Sequence, residues 1–309
     1  MKIYSISCVD DLPHDGAVFV ALGNFDGVHP GHAALLSAAC EGALRTGAAP
    51  AVFTFRQSKA PAVTTLEERL TVFKQAGIEA VFVADFQAFR EQSPEGFVRH
   101  TLKGIGAAGV VCGFNFRFGH RAVGNVELLT ALASAEGMDC KVIAPVIRDG
   151  ITVSSTEIRR RLTEGDLAGV SSLLGRPWSV TGEVVHGRSV GGKILSSPTL
   201  NLPISKDRLL PPFGVYFTEA VIDGIAYPAV TNLGVRPTFG ESEVLCETHL
   251  LNASGDFYGK TVEIRFLNFR RAERRFASAE ELAAVIAEDI AAARRYFRCP
   301  DPLLSGIRG

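Results

Sequence analysis

Ala17-Val18-Phe19-Val20-Ala21-Leu22 is followed by Gly23-Asn24-Phe25-Asp26-Gly27-Val28-His29-Pro30-Gly31-His32, and then by AALLSAACEGALRTG up to Gly47. The first six residues are a continuous apolar run of strand length, and the last fifteen read as a helix. The ten between them are a glycine-bearing turn carrying two imidazoles. Glycines let backbone N–H groups come close to a ligand, and a helix start carries partial positive charge, so this order builds an anion site. His29 and His32 are placed to donate hydrogen bonds to phosphate oxygens and to stabilise charge that develops there. A plain tight turn and a His-x-x-His metal pair are the competing readings. The metal reading lacks a third His, Cys or carboxylate in a zinc pattern. Strand, glycines, histidines and helix coincide, and that coincidence favours phosphate.

The same grammar extends outward. Residues 17–22, 51–55, 80–84, 109–113 and 140–147 are β-branched or aromatic runs, separated by helical segments such as LEERLTVFKQAG from Leu66. A further helix opens at Ser93-Pro94, a cap residue followed by proline in the first turn. Apolar strands alternating with helices predict a doubly wound parallel sheet, with ligands at the carboxyl ends of its strands. GDLAGVSSLLGRPW forms a joint, a short helix ending at Gly175 and Pro177. Beyond Trp178 come TGEVVHG, PTLNLPI, GVYFTEAVI, IAYPAVTNLG, CETHLL and KTVEIRFLNF, with Asp223-Gly224 as a hairpin turn. One helix closes the chain, opened by a Ser278/Glu281 capping box. The prediction is α/β plus β: a parallel-sheet domain over 1–165, a linker over 166–177, and a small antiparallel β-barrel with a terminal helix over 178–309.

Length and composition agree with two packed domains. The chain has 309 residues, 47% hydrophobic and 21% charged, with a net charge of −1. Residues 1–176 hold 17 Lys/Arg against 18 Asp/Glu, and the remainder 15 against 15. A surface built to hold nucleic acid or anionic lipid would show a basic excess, so pockets for small molecules are expected instead. The six cysteines form no CxxC pair, which speaks against a disulfide framework and a cysteine zinc site. The acidic N-terminus does not read as a signal peptide, and no stretch approaches the ~20 apolar residues of a membrane helix. A cytoplasmic protein is expected.

The GxFDGVHxGH segment resembles the HxGH nucleotidyltransferase superfamily and, within it, the bacterial bifunctional riboflavin kinase/FMN adenylyltransferase (FAD synthetase) family. The resemblance implies that His29 and His32 contact the ATP triphosphate, and that Gly23, Asn24, Phe25, Asp26 and Gly31 belong to the phosphate-binding turn. Val153-Ser154-Ser155-Thr156-Glu157-Ile158-Arg159 resembles the family's SSTxIR motif. Ser155 and Thr156 would meet phosphates at a helix start, with Arg159 one turn on as a rigid fork for phosphate oxygens. Arg160 and Arg161 read as a solvated face. Gly113-Phe114-Asn115-Phe116-Arg117-Phe118-Gly119 resembles the family's G-x-D/N-F-R-F-G run. There Asn115 is the flavin-site candidate, and packing suffices for the phenylalanines.

The second half is similar to the riboflavin kinase module: GEVVHG, PTLNL, GVYFTEAV, NLGVRPTF, ETHLL and the RAERRF run fall in family order. Thr199 and Asn201 alternate along one strand and face the same way. The resemblance makes them the Mg²⁺ and phosphate ligands, and makes Glu247 the general base for the riboflavin hydroxyl. A surface carboxylate on a barrel is the competing reading for Glu247. His186 and His249 read as ordinary barrel residues. Departures from the family pattern fall at 55–59, where a His-Pro is absent, and at Ser196-Ser197, Leu200, Asn125 and Ala272. The implied function is a two-step enzyme, riboflavin to FMN and FMN to FAD, with ATP, riboflavin and FMN as its partners. The rivals are a nucleotidyltransferase for another acceptor and a flavin-binding regulator or store that has lost turnover.

Overall fold

A computed structural model describes the chain except for residues 10, 11, 14, 57–60, 187–198, 238–241, 252, 254 and 299–309. The chain divides into two compact units, residues 1–157 and 158–309.

The first unit runs β1 (Lys2–Ile6), β2 (Val18–Leu22), α1 (Pro30–Thr46), β3 (Ala49–Phe55), α2 (Leu66–Gln75) and β4 (Ala80–Ala84). It continues with α3 (Phe86–Phe89), α4 (Pro94–Gly96), a wide helical turn over Phe97–Leu102, β5 (Ala107–Gly113), α5 (Val126–Ala135) and β6 (Asp139–Ile143). A short hairpin of β7 (Ile147–Arg148) and β8 (Ile151–Thr152) leads into α6 (Ser155–Glu164), which crosses into the second unit. The six main strands are all parallel, in the order β1-β4-β3-β2-β5-β6. Every residue of β2 and of β4 is buried, as a sheet covered on both faces requires. One face packs Phe19, Ala21, Val52, Val81 and Val111 against Leu36 and Ala39 of α1 and Phe73 of α2. The other packs Val20, Phe53, Phe82 and Val110 against Phe89, Phe97, Leu102 and Leu129. The predicted double winding is therefore present.

Two boundaries differ from the sequence expectation. β1, an edge strand with mostly exposed side chains, has no apolar run to announce it. The expected strand over 140–147 stops at Ile143, because Pro145 lacks the N–H that a further ladder position needs. The Ser93-Pro94 cap is as expected, Ser93 Oγ accepting the Gly96 N–H at 3.0 Å.

Phe19 shows how tightly the sheet is filled. A Cβ at Gly109 would lie 2.3 Å from its ring, and one at Gly42 2.4 Å. Phe19 is fully buried and has nowhere to move. Gly109→Ala is therefore expected to lower unfolding stability by about 1–3 kcal/mol, an overpacking cost. Urea titration would measure it, and stability equal to wild type would show that the ring yields.

The second unit holds α7 (Leu167–Leu174), β9 (Trp178–Glu183), β10 (Thr199–Ile204), β11 (Gly214–Ile222), β12 (Ile225–Pro237), β13 (Ser242–Leu250), β14 (Thr261–Ala272) and α8 (Ala279–Arg298). Its strands form one antiparallel sheet, β10-β13-β12-β11-β14-β9. The sheet closes on itself where the Val185 N–H donates to the Asn201 carbonyl at 2.9 Å. Asp223 and Gly224 both take positive φ, 51° and 80°, as a two-residue hairpin of this hand demands. Trp178, Tyr216, Leu233, Cys246, Ile264 and Phe266 are buried within the barrel. There Thr231 Oγ1 lies 2.7 Å from that of Thr218 and 2.8 Å from that of Thr248, so three buried hydroxyls satisfy one another. On the opposite side of the sheet α8 covers Val215, Phe217 and Val230 with Ile290 and Ala293. Asp289 of α8 pins this contact, accepting from Arg271 Nε at 3.0 Å and Nη2 at 2.8 Å. The joint helix α7 is capped by Asp166 and by left-handed Gly175, and it lies against β9 and β14.

Candidate active sites

In the parallel sheet the strand order reverses between β2 and β5, and ligands of such sheets bind outside the carboxyl ends at that reversal. The glycine-bearing turn leaves β2 there, and the Gly113–Gly119 run leaves β5 beside it. Phe25, Gly27 and Val28 all take positive φ, 55°, 85° and 38°. Two of the three are not glycine, so the turn is held in shape by its surroundings. The Phe25 ring is buried edge-on to Phe73 at 5.2 Å and lies 5.0 Å from the His32 ring. Thr64 braces the turn from behind: its hydroxyl accepts the Gly27 N–H at 2.8 Å, and its own N–H donates to Asp26 Oδ1 at 3.1 Å. The buried Asp26 carboxylate thus shapes the loop.

His29 caps α1, its Nδ1 accepting the His32 N–H at 3.3 Å. The two imidazoles stack 3.7 Å apart at 15°. A Cβ at Gly31 would come within 3.1 Å of the His29 ring, so glycine there lets the ring pack. Burial, followed by the neighbouring His29 and Arg69, pushes the His32 imidazole well below its ordinary value. His32 is therefore neutral near pH 7 and carries a single ring N–H. Ser155 opens α6, and its hydroxyl donates to the Asp26 carbonyl at 2.8 Å, tying the second motif to the first. Gly23, His29, Gly31, His32, Ser155 and Thr156 line one cavity of about 260 Å³, walled by Ala144 and Pro145 beyond the shortened β6. Arg159 stands one turn further along α6, half-buried and beyond the unit boundary. Arg160 is exposed and paired with Glu164, but Arg161 is not part of a solvated face. Its side chain is 20% exposed and bound to Asp166 at 2.8 Å, because that carboxylate also caps α7.

A second cavity of about 500 Å³ opens on the other side of Gly23 and Asn115, which line both. Its walls are aromatic: Phe53, Phe55, Phe86, Phe89, Phe97 and Phe116. Asn24 lines this second cavity and not the first. Phe118, though buried, lines this cavity as well. Phe114 is instead exposed and lines the first cavity.

In the barrel, register builds a second constellation. Glu247 on β13 pairs with Asn201 on β10 and with Asn232 on β12. His249 pairs with Thr199 and Val230 in the same way. Side chains alternate, so Thr199, Asn201, Asn232, Glu247 and His249 share one face while Cys246, Thr248 and Leu250 are buried on the other. Asn201 is 6% exposed, sheltered although polar. Asn232 Nδ2 donates to Glu273 Oε1 at 3.4 Å, bringing the RAERRF run to the same face. His249 Nδ1 is buried without a partner, and burial, then Arg294, lowers its imidazole. His186 stacks on Tyr258 at 3.8 Å. The sequence departures at 57–59 and at 196–197 lie outside the described residues.

Sequence reading passed over Thr64, Arg69, Asn232 and the aromatic wall. Arg69 alone left a signal, a charge on the core-facing side of α2 beside Phe73.

Family comparison assigns both units. Residues 12–157 match the family described as FAD synthetase, and residues 174–297 match the one described as riboflavin kinase. A bifunctional riboflavin kinase/FMN adenylyltransferase from Pseudomonas fluorescens is 37% identical over 292 residues, covering 91% of this chain and 93% of that protein. Its counterpart from Escherichia coli K12 is 33% identical, covering 97% and 99%. Among solved structures, a Streptococcus pneumoniae protein described as a macrolide-efflux protein superposes with a TM-score of 0.81 at 28% identity. It covers 96% of this chain and 100% of its own. Among the described residues here no helix is long and apolar enough to cross a membrane.

Proposed function

The chain belongs to the bifunctional riboflavin kinase/FMN adenylyltransferase family, and from that premise we propose how its residues divide two reactions between two sites. Residues 1–165 carry adenylyl transfer and residues 178–309 carry the kinase, joined by the linker 166–177.

In the first site ATP occupies the smaller cavity, its phosphates on the backbone of Gly23–Gly31, on His29 and His32, and on the α6 start at Ser155 and Thr156. FMN fills the aromatic cavity, with Asn115 at the partition between them. The FMN phosphate attacks the α-phosphorus of ATP directly, a P–O bond forms, and pyrophosphate leaves. His32, neutral, donates to an oxygen that gains charge, and Arg159 supplies the positive charge. Catalysis is alignment plus electrostatic stabilisation. The observation that carries this reading is the Ser155–Asp26 hydrogen bond, which joins both motifs at one cavity on the strand-order reversal.

In the second site Glu247 takes the proton of the riboflavin 5′-hydroxyl as its oxygen attacks the γ-phosphorus of a second ATP. Among the described residues no cluster of three His, Cys, Asp or Glu could cage a metal. The Thr199 hydroxyl and Asn201 amide are hard oxygen donors that fit Mg²⁺, an ion held largely by water and substrate phosphates. When bound, Mg²⁺ neutralises phosphate charge.

The test is incubation with riboflavin, ATP and Mg²⁺, following FMN and FAD by chromatography. Both are expected in sequence. Bound riboflavin with neither product would sink the catalytic reading in favour of a flavin store. FAD formed only from supplied FMN would make the barrel an inactive kinase.

A further inference from the structure

Arg69 lies on the core-facing side of α2 and is 5% exposed. Its Nη1 donates to the Asn24 carbonyl at 2.6 Å, to Thr54 Oγ1 at 3.1 Å and to the Phe55 carbonyl at 3.3 Å. Its Nη2 donates to the carbonyls of Phe55 at 3.3 Å and Arg56 at 3.1 Å, while Nε is buried without a partner. Every acceptor is neutral. Asp26 is near enough to favour the charge through space, but the guanidinium's hydrogen bonds all go to uncharged oxygens. Holding a guanidinium out of water without a paired carboxylate is costly, and an apolar side chain would fill a core position at less expense. The cost therefore points to what the guanidinium holds.

It holds two strand ends. Asn24 follows β2 and precedes the strained Phe25, while Phe55 ends β3 and Arg56 follows it. The Asn24 carbonyl also accepts from Thr54 Oγ1 at 3.2 Å, so one oxygen anchors the turn to both α2 and β3. Asn24 and Phe55 line the aromatic cavity, and Gly23, the residue before Asn24, lines both cavities. Arg69 thus joins the phosphate turn to the wall of the aromatic cavity, beside the Thr54 hydroxyl and the Gly23 N–H to Phe53 carbonyl bond at 3.2 Å.

We propose that Arg69 is a positioning residue of adenylyl transfer: it locks the phosphate turn to the end of β3, so that the phosphate of an acceptor seated in the aromatic cavity meets the α-phosphorus of ATP in the other. This rests on the assignment of FMN and ATP to those two cavities. Thr64 supports the same turn, but through the Asp26 carboxylate and the Gly27 N–H, and it does not line the second cavity. Arg69 reaches from α2 to both the turn and the end of β3.

The test uses the full-length enzyme with Arg69→Met and Arg69→Lys, measuring FAD formation from FMN and ATP, and riboflavin phosphorylation in the same preparation. A misplacement of about 1 Å costs roughly 10²-fold in an aligned transfer, so Arg69→Met is expected to lower kcat for FAD formation by about 30-fold or more. The KM for ATP should stay within about threefold, because the histidines and the α6 start are untouched. Arg69→Lys keeps the charge but not the planar fork, and should recover only part of kcat. Riboflavin phosphorylation should stay within about twofold in both variants, since its residues lie in the other unit. Unchanged kcat in Arg69→Met would overturn the proposal. So would a loss of both activities together in both variants, which would make Arg69 a residue of fold stability alone. Wild-type enzyme that forms no FAD would overturn the cavity assignment beneath it.

Discussion

Glu247→Gln is expected to reduce riboflavin phosphorylation by about 10²–10⁴-fold, the range a positioned general base supplies. FAD formation from supplied FMN should remain within about twofold, because every residue lining the two cavities of the first site lies between Leu22 and Thr156, far along the chain from β13. The substitution preserves shape and hydrogen-bonding capacity and removes the basic oxygen. Register makes this position special. Glu247 stands between Asn201 and Asn232 on neighbouring strands, and neither amide can take a proton from a hydroxyl. Loss should fall on kcat, with the KM for riboflavin and for ATP changed little, since the proposed base would act only as the hydroxyl oxygen begins to bond phosphorus. A Glu247→Gln enzyme that phosphorylates riboflavin at a third of the wild-type rate would remove the base from Glu247. It would leave the alternative that the 5′-hydroxyl loses its proton late, to phosphate itself.

The fold was legible wherever local pattern and tertiary environment agree. Continuous apolar runs forecast β2 and β4, and every one of their residues is buried. The glycine-bearing turn forecast an anion site, and it stands at the reversal of strand order. β1 escaped because an edge strand with exposed side chains lacks the periodicity of a buried one. The histidines were legible as motif, but their stacking and the neutrality of His32 depend on burial that no single sequence carries. The aromatic cavity is assembled from phenylalanines of β3, α3, the turn after α4 and the loop after β5. Each of them alone reads as core. Asn232 was invisible for a related reason: only the pairing of β12 with β13 sets it beside Glu247. Arg69 and Arg161 fail in the opposite sense, as charges that ordinary statistics send to the surface and that this chain buries or pins.

His32→Ala is expected to lower FAD formation by about 10²–10³-fold, comparable to the loss of one donor to a developing oxyanion, with riboflavin phosphorylation unaffected. Its pH behaviour separates the role of His32 from a generic packing loss. Burial, His29 and Arg69 hold the folded imidazole well below 6.5, while in the unfolded chain it titrates near 6.5. Above that pH both states are neutral and His32 adds no pH dependence. As pH falls below about 6.5 the unfolded state takes up a proton that the folded state refuses, so stability declines with acid. Unfolding midpoints measured between pH 8 and pH 5 should therefore fall toward acid in the wild type. In His32→Asn, which keeps a neutral hydrogen-bonding group of smaller size, the fall should be shallower. Wild-type and variant curves that stay parallel would show that His32 is not the group refusing the proton. FAD formation that survives His32→Ala would leave His29 as the imidazole that carries the transfer. The stacked pair makes that contrast sharp: His29 is fixed as the cap of α1 by the His32 N–H, a backbone bond that the substitution leaves in place.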